Sequence, residues 1–287
     1  EYLRTHPTLP KTLDYMDTLS KGMERRTRNA PFYLRPVFHT ETRRLIRYEN
    51  LMFDLFDETV IISEQDRDLL YHPLRDRVTV IPNGVDTAHF APQPLEKKYD
   101  LVFTGNMNYP PNIDSVLYLV RKVLPLVHAQ RPETGLLISG VDPSAEVREL
   151  ARNDPRIEVS GWVKDIRHSY AAARIFIAPM QIGTGLQNKL LEAMAMGIPC
   201  ITSSLANNAV QAVPGESILI GQSPKDYADH ILRLLDDKVE RERLAEAGSR
   251  FVRTHFDWER SAAHLEELLV RSTRRVAAAM DQPVARV

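Results

Sequence analysis

The sequence has 287 residues, of which 43% are hydrophobic and 26% are charged. This composition is typical of a globular protein with enough core for one large or two medium domains. The net charge of −1 gives no general attraction to nucleic acid or to an anionic membrane. Cys200 is the only cysteine, which excludes a disulfide within the chain and favours a reducing compartment.

No apolar run approaches the ~20 residues that span a bilayer. The sequence begins at Glu1 rather than Met, and we expect that an N-terminal portion is missing. The first 35 residues are rich in proline and are interpreted as irregular, apart from a short strand at Leu13–Met16. A helix is predicted over residues 38–56, with one buried side: Leu45, Ile46, Leu51, Met52, Leu55 and Phe56.

Two strands follow, and a helix capped by Ser63 and Asp66 separates them: Thr59–Ile62 and Val78–Ile81. This alternation is typical of one half of a parallel sheet. Residues 83–98 contain several prolines and are interpreted as an interdomain crossing.

From Tyr99 the pattern of strands and helices restarts. Six short apolar strands are predicted: Leu101–Thr104, Leu136–Ser139, Ile157–Ser160, Ile175–Ala178, Cys200–Thr202 and Ile218–Ile220. Helices fit between most of them: Asn112–Gln130, Ser144–Arg152, Ile166–Ala173 and Leu186–Met196. This order indicates a doubly wound parallel sheet. Three closing helices are predicted after it: Pro224–Leu235, Val239–His255 and Trp258–Ala279.

The stretch from Arg174 to Ser203 forms a strand, a loop with Gly183 and Gly185, a helix and a second strand. Backbone N–H groups and the helix dipole make the start of such a helix an anion site. Glu192 lies on this helix among apolar residues, and a carboxylate there needs donors. The residues leave two interpretations open: Lys189 is a structural partner, or Glu192 binds ribose hydroxyls.

Polar residues and glycines also follow the other predicted strands, at Thr104-Gly105-Asn106, Gly140 and Gly161-Trp162. In a doubly wound sheet, ligands bind beyond the carboxyl ends of the strands. No Gly-x-Gly-x-x-Gly follows the first strand, no Walker loop is present, and no histidine or cysteine cluster has metal-ligand spacing. We therefore expect no cofactor and no metal.

Four runs carry a resemblance to a known family: GLQNKLLEAMAMGIPCITS, PNGVDTAHF, FTGNMNYPPNIDSV and VSGWVKDI. They resemble the retaining glycosyltransferases of the GT-B fold, group 1 (family four) class, and within it enzymes of bacterial polysaccharide assembly. The resemblance covers about residues 58 to 270. It implies an α/β fold of two Rossmann-like domains with doubly wound parallel sheets, the N-terminal one truncated.

The resemblance also implies domain boundaries. Residues 1–82 would be the C-terminal part of the N-terminal, acceptor-side domain, and residues 83–98 the linker. Residues 99–256 would form the nucleotide-sugar-binding domain. Residues 257–287 would be a helix that returns toward the N-terminal domain.

By the same resemblance, Glu192 binds the ribose hydroxyls of the donor. The backbone of the loop cradles the diphosphate: Gly183, Thr184, Gly185 and Leu186. Residues after the third strand hold the base: Gly161, Trp162 and Val163. Gly105 and Asn106 face phosphate or sugar.

The sequence departs from the family pattern at two places. Thr184 stands where the family has the first of two glutamates spaced eight apart. An Arg and a Lys that neutralise the diphosphate are replaced by Gly105-Asn106-Met107-Asn108. Lys189 is the nearest replacement for that charge, so Lys189 and Thr184 are the candidate catalytic residues.

The function that the resemblance implies is hexosyl transfer from a nucleotide-diphosphate sugar to an acceptor hydroxyl with retention, in polysaccharide or glycoconjugate biosynthesis. The alternatives are a non-catalytic nucleotide-sugar-binding or partner subunit, prompted by Thr184, and a sugar-nucleotide epimerase. The acceptor would be a sugar or a lipid-linked sugar, and nucleic acid is not expected as a partner. The protein would be cytoplasmic, with peripheral contact at the inner membrane face through basic residues: Lys21, Arg25, Arg26, Arg28, Arg35, Arg43, Arg44 and Arg47.

Overall fold

The computed structural model of the chain describes residues 6, 9–182 and 185–280. The described residues form two compact units. The first unit contains the described residues up to 83, together with 185–186 and 258–280. The second contains 84–182 and 187–257. Each unit has its own parallel sheet.

Nine strands are present in the described part of the chain: β1 (Thr12–Asp14), β2 (Glu58–Ile61), β3 (Thr79–Val80), β4 (Tyr99–Thr104), β5 (Leu136–Ser139), β6 (Ile157–Gly161), β7 (Ala173–Ala178), β8 (Cys200–Ser203) and β9 (Leu219–Gly221). The α-helices there are α1 (Leu19–Asn29), α2 (Arg35–Leu55), α3 (Glu64–Leu69), α4 (Pro110–Tyr118), α5 (Leu124–His128), α6 (Ala145–Asn153), α7 (Ile166–Ala171), α8 (Asn188–Ala195), α9 (Ser204–Val210), α10 (Pro224–Asp236), α11 (Lys238–His255) and α12 (Trp258–Met280).

The first unit contains a three-stranded parallel sheet in the order β1-β2-β3. The predicted cap of α3 is confirmed, because the Ser63 hydroxyl accepts a hydrogen bond from the Asp66 N–H at 3.1 Å. The prediction that the first 35 residues are irregular is wrong, since α1 lies there. Hydrogen bonds from α1 to α2 explain why the observed helix differs from the predicted irregular segment. The N–H and hydroxyl of Ser20 both donate to the Glu49 carboxylate of α2, at 2.9 and 2.5 Å, a long-range contact that no local pattern shows.

Helix α2 is present as predicted, but its buried side is only partly as expected. Met52 is buried, whereas Leu51 is exposed. Two polar residues, Thr42 and Glu49, take buried positions instead. Glu49 is buried because Ser20 bonds its carboxylate, and burial still raises the pKa of that carboxyl.

The second unit contains a six-stranded parallel sheet in the order β6-β5-β4-β7-β8-β9. The order reverses between β4 and β7, which confirms the doubly wound sheet that the sequence predicts. All six predicted strands are present, with no end shifted by more than two residues. Leu101 of β4 lies in register with Leu136 of β5 and with Ile175 of β7, and all three side chains are fully buried. The apolar runs therefore form strands because helices cover both sheet faces.

The predicted helix Asn112–Gln130 consists of α4, a π-helical turn at Leu119–Val123 and α5. Pro125 explains the change of winding. It has no N–H to donate to the carbonyl four residues earlier, and its ring crowds that carbonyl, so the turn before it widens.

The chain passes very close to itself where β4 and β5 end. Gly105 has φ +152° and Gly140 has φ +145°, in the region that side-chain-bearing residues avoid. A Cβ on Gly140 would lie 1.7 Å from the Gly105 carbonyl oxygen. Two glycines are therefore needed for these two strand ends to lie side by side.

Substitution Gly140→Ala is expected to lower the free energy of unfolding by about 2 kcal/mol or more, because it adds a steric clash to an unfavourable φ. The measurement is urea denaturation followed by circular dichroism. Gly135→Ala is the matched control, because a Cβ there would meet its nearest atom at 3.8 Å, an ordinary contact. Equal stability of the two variants would contradict the close approach.

Candidate functional site

Glu192 of α8 receives its hydrogen bond from a tyrosine. The Tyr170 hydroxyl of α7 donates to Glu192 Oε2 at 2.7 Å. The other carboxylate oxygen has no hydrogen bond from any described residue, and Glu192 is half-buried. The structure thus provides one internal donor and leaves one acceptor oxygen for a further donor.

The Tyr170 hydroxyl has a second hydrogen-bond partner. Its ring is fully buried, and its hydroxyl lies 2.8 Å from the hydroxyl of Thr104 at the end of β4. Because the Tyr170 proton goes to Glu192, the Thr104 hydroxyl donates to Tyr170. Burial, together with the negative charge of Glu192, holds the pKa of Tyr170 well above its usual range. Tyr170 is therefore a donor that stays protonated.

Burial raises the pKa of the Glu192 carboxyl, whereas the Tyr170 hydrogen bond and the Lys189 charge oppose that rise. The effect of burial is the largest of the three. A ligand that brings further donors to this carboxylate would favour its charged form.

Lys189 does not hydrogen-bond Glu192, although the two lie three residues apart on α8. Its ammonium donates instead to the side-chain oxygen of Asn112 on α4. It also lies 4.9 Å from the centre of the Phe103 ring. Burial lowers the pKa of the Lys189 amine to about 8, and the charge of Glu192 opposes this shift.

Asn112 connects Lys189 to the end of β4. Its side-chain N–H₂ donates to the Asn106 carbonyl at 2.9 Å, while its oxygen accepts from Lys189. Asn112 is buried and lies under Gly105, where a Cβ would come within 2.7 Å of its amide nitrogen. The Asn106 side chain accepts from the Asn108 N–H at 2.9 Å and folds the loop into a turn.

A second concave region follows β5 and β6. A cavity of about 440 Å³ is lined by Asp142, Pro143, Arg148, Val159, Ser160, Gly161 and Trp162. Trp162 is 70% exposed, and Gly161 has φ +68°. An exposed indole beside an acid and a guanidinium can stack on a planar ring and bond its polar edge. Of the three residues predicted to hold the base, Gly161 and Trp162 therefore border this cavity. Val163 lines a neighbouring cavity with His89 and Arg167.

The described residues cover only part of the predicted diphosphate cradle. Gly183 and Thr184 lie outside the described residues. Gly185 and Leu186 are buried and group with the first unit. The helix begins at Asn188 rather than at Leu186 as predicted. Leu186 is thus part of the loop, and the roles of this loop stay predictions.

Reasoning from the sequence missed Tyr170 and Asn112, and it placed Thr104 at the ligand-facing end of a strand without giving it a role. Thr104 and Asn112 fall within the FTGNMNYPPNIDSV run that carries the family resemblance, which was the available signal. No signal in the sequence marked Tyr170, because a tyrosine in a short helix is an ordinary core residue.

Within the described residues, no group of three or more His, Cys, Asp or Glu is placed to hold a metal ion. The searched helices include none with the length and apolar character required to cross a bilayer. Cys200 is fully buried, and burial raises the pKa of its thiol, so it packs as a small hydrophobe.

Comparison with known proteins identifies the family. Residues 98–237 match the family model described as Glycosyl transferases group 1. A GDP-mannose-dependent monoacylated alpha-(1-6)-phosphatidylinositol monomannoside mannosyltransferase from Corynebacterium glutamicum is 28% identical, over 68% of this chain and 56% of its own length. A phosphatidyl-myo-inositol mannosyltransferase from Mycobacterium tuberculosis is 28% identical, over 77% of this chain and 63% of its own length.

Solved structures give the fold. The Anabaena protein HepE, solved in complex with UDP and glucose, superposes with a TM-score of 0.67 at 14% identity, over 95% of this chain and 72% of that one. The fold is therefore GT-B, and the chain matches the group 1 glycosyltransferases over residues 98–237. It spans just over half the length of the two mannosyltransferases that it matches.

Substitution Tyr170→Phe is expected to lower the free energy of unfolding by about 1–3 kcal/mol, because it removes the donor to a half-buried carboxylate. Tyr99→Phe is the matched control: Tyr99 makes a similar bond to Glu158 in an exposed position, where its loss is expected to cost less than about 1 kcal/mol. Chemical denaturation of both variants makes the measurement. A larger loss for Tyr99→Phe would contradict the role of Tyr170.

The pKa of Lys189 predicts a pH dependence of stability. The folded amine has a pKa of about 8, against 10.5 for the ordinary group. Between these values the unfolded chain holds more protons, so the folded state gains stability as the pH rises. Relative to Lys189→Met, the wild type is expected to gain stability from about pH 8 to pH 10. The exposed Lys164→Met is the control, and its curve should run parallel to the wild type.

Proposed function

We propose that this protein transfers a hexosyl group from a nucleotide-diphosphate sugar to an acceptor hydroxyl, with retention of anomeric configuration. The observation that carries the proposal is the arrangement on α8. Glu192 keeps one carboxylate oxygen for a ligand, and Lys189 presents an ammonium held away from that carboxylate by Asn112. A ribose diol and a diphosphate match these two groups in charge and in hydrogen-bonding type.

The family relationship supports the same donor class. One mannosyltransferase relative is GDP-mannose-dependent by name, and the Anabaena structure contains UDP and glucose. The base would stack at Gly161 and Trp162 beside the 440 Å³ cavity. Gly105 and Asn106 would lie along the phosphate or the sugar.

In the proposed reaction, the bond from the anomeric carbon to the diphosphate oxygen breaks and a bond to the acceptor oxygen forms. The diphosphate leaves with the electron pair, and a phosphate oxygen takes the acceptor's proton. The ammonium of Lys189 stabilises the developing negative charge. The α8 dipole and the loop amides would add to the positive electrostatic field of Lys189, without a metal or an added cofactor.

The names of the two relatives support the finer proposals on pathway and acceptor. Both mannosyltransferases are named for phosphatidylinositol-type acceptors. We therefore propose a sugar or a lipid-linked sugar as the acceptor, in polysaccharide or glycoconjugate biosynthesis, at the cytoplasmic face of the inner membrane. The proposed domain roles follow the same scheme, with residues 99–256 as the donor domain.

A second candidate is a binding subunit without catalysis. It is favoured by Thr184, which stands where the family pattern has a glutamate. This candidate differs from the enzyme in one measurable respect, since it binds the donor but transfers no sugar to any acceptor.

Substitution Glu192→Gln is expected to weaken binding of nucleotide diphosphates by about 10- to 100-fold, because it removes a charged acceptor of the ribose hydroxyls. Isothermal titration calorimetry with UDP, GDP and ADP measures this and identifies the base. The exposed Glu149→Gln is the control. Unchanged affinity in Glu192→Gln would overturn the ribose role.

Lys189→Ala is expected to lower turnover by about 10²–10³-fold while the fold is kept. The assay follows release of nucleotide diphosphate and the sugar products, with donor alone and with a panel of acceptors. Near-normal turnover would exclude Lys189 from the chemistry. Donor binding without transfer would favour the binding subunit, and an altered sugar with donor alone would favour an epimerase.

A further inference from the structure

The 440 Å³ cavity that follows β5 and β6 is lined by two opposite charges that do not pair with each other. Asp142 follows β5 and Arg148 lies on α6. Neither side chain has an ion pair or a hydrogen bond with any described residue. The nearby acid Glu146 does not neutralise Arg148, because it pairs with Arg121 at 2.9 Å. A carboxylate and a guanidinium therefore both remain for a ligand of this cavity.

Asp142 is held in an unusual backbone conformation. Its φ is +50°, in the left-handed region that residues other than glycine adopt at a cost in free energy. Hydrogen bonds fix the chain on both sides of it. The Met107 N–H donates to the Val141 carbonyl at 2.8 Å, and the Ser144 N–H donates to the Met107 carbonyl at 3.2 Å. The carboxylate is thus presented from a fixed turn at the carboxyl edge of the sheet, where ligands bind in this fold.

Trp162 lines the same cavity and is 70% exposed. An exposed indole offers a flat surface on which a nucleotide base can stack. Stacking by itself does not distinguish the bases, because every base has a π-face. Discrimination between bases therefore falls to Asp142, which can only accept hydrogen bonds, and to Arg148, which can only donate them.

The bases differ in the order of donors and acceptors along their edges. Guanine has two neighbouring donors, the ring N1–H and the exocyclic N2 amino group, beside the O6 carbonyl. A carboxylate accepts from both donors, while a guanidinium donates to the carbonyl. Uracil has one N–H between two carbonyls, so a carboxylate that binds it faces an acceptor on each side. Adenine has no carbonyl for the guanidinium.

We propose that Asp142 and Arg148 select guanine as the base of the donor. Given the proposed function, on which this selection rests, the donor is a guanosine-diphosphate sugar. The Asp142 carboxylate accepts hydrogen bonds from guanine N1–H and from the N2 amino group. The Arg148 guanidinium donates to O6, and the Trp162 indole stacks on the ring.

The test is isothermal titration calorimetry of the full chain with GDP, UDP and ADP. GDP is expected to bind about tenfold or more tightly than either of the others. Inosine diphosphate, which lacks the N2 amino group of guanine, is the fourth ligand. It is expected to bind about tenfold more weakly than GDP, because one donor to the Asp142 carboxylate is lost.

Three variants separate the contributions of the side chains. Asp142→Asn should weaken GDP about tenfold, remove the difference between GDP and inosine diphosphate, and leave UDP unchanged. Arg148→Met should weaken GDP but not UDP. Trp162→Ala should weaken all the nucleotide diphosphates alike, because stacking does not depend on the base. Asparagine tolerates a positive φ as aspartate does, so Asp142→Asn keeps the turn.

Glu149→Gln and Arg152→Met are the matched controls, because both residues are exposed charges on α6 outside this cavity. They should keep the wild-type order of affinities, and circular dichroism checks the fold of every variant. Tighter binding of UDP or ADP than of GDP by the wild type would overturn the selection of guanine alone. So would an unchanged difference between GDP and inosine diphosphate in Asp142→Asn. Absence of binding by GDP, UDP and ADP would overturn the proposed function together with it.

Discussion

The organisation of the second unit depends on a carboxylate that lies on a mostly apolar helix. Glu192 sits on α8 between buried neighbours, and such a group is stable only with donors. The fold supplies one through Tyr170, whose hydroxyl is in turn bonded to Thr104 at the end of β4. A helix, a second helix and a strand end are thus fixed relative to one another by two hydrogen bonds between buried or half-buried groups.

The opposite charge on α8 is held by a separate set of bonds. Lys189 attracts Glu192 but hydrogen-bonds to Asn112, which is anchored to the Asn106 carbonyl. A direct ion pair between Lys189 and Glu192 would satisfy both charges and leave few hydrogen-bonding groups for a ligand. Because each is held elsewhere, the proposed diphosphate and ribose diol would bind side by side with little rearrangement.

The two glycines at the ends of β4 and β5 belong to the same arrangement. Gly140 allows the Gly105 backbone to lie against it, and Gly105 leaves room for the Asn112 amide beneath. Asn112 can then reach both Asn106 and Lys189. The small residues at the rim thus let Asn112, the side chain that positions the Lys189 ammonium, fit under the strand end.

The local sequence pattern predicted the elements correctly where an element is buried along its whole length. It failed where long-range polar contacts determine which residues are buried. The six strands of the second unit were predicted because each is an apolar run covered on both faces. Helix α1 was missed, and Leu51 was placed on the wrong side of α2. In both cases the cause is Glu49, which is buried because Ser20, 29 residues earlier, bonds its carboxylate.

The sequence by itself determined the doubly wound sheet, the loop–helix unit that carries Lys189 and Glu192, and the family resemblance, because all three are local patterns of apolar residues, glycines and charges. Only the tertiary structure decided the partners of the two charged groups. Tyr170 lies 22 residues from Glu192 and Asn112 lies 77 residues from Lys189. Such pairings depend on which strand ends meet at one edge of the sheet, and no local spacing encodes that.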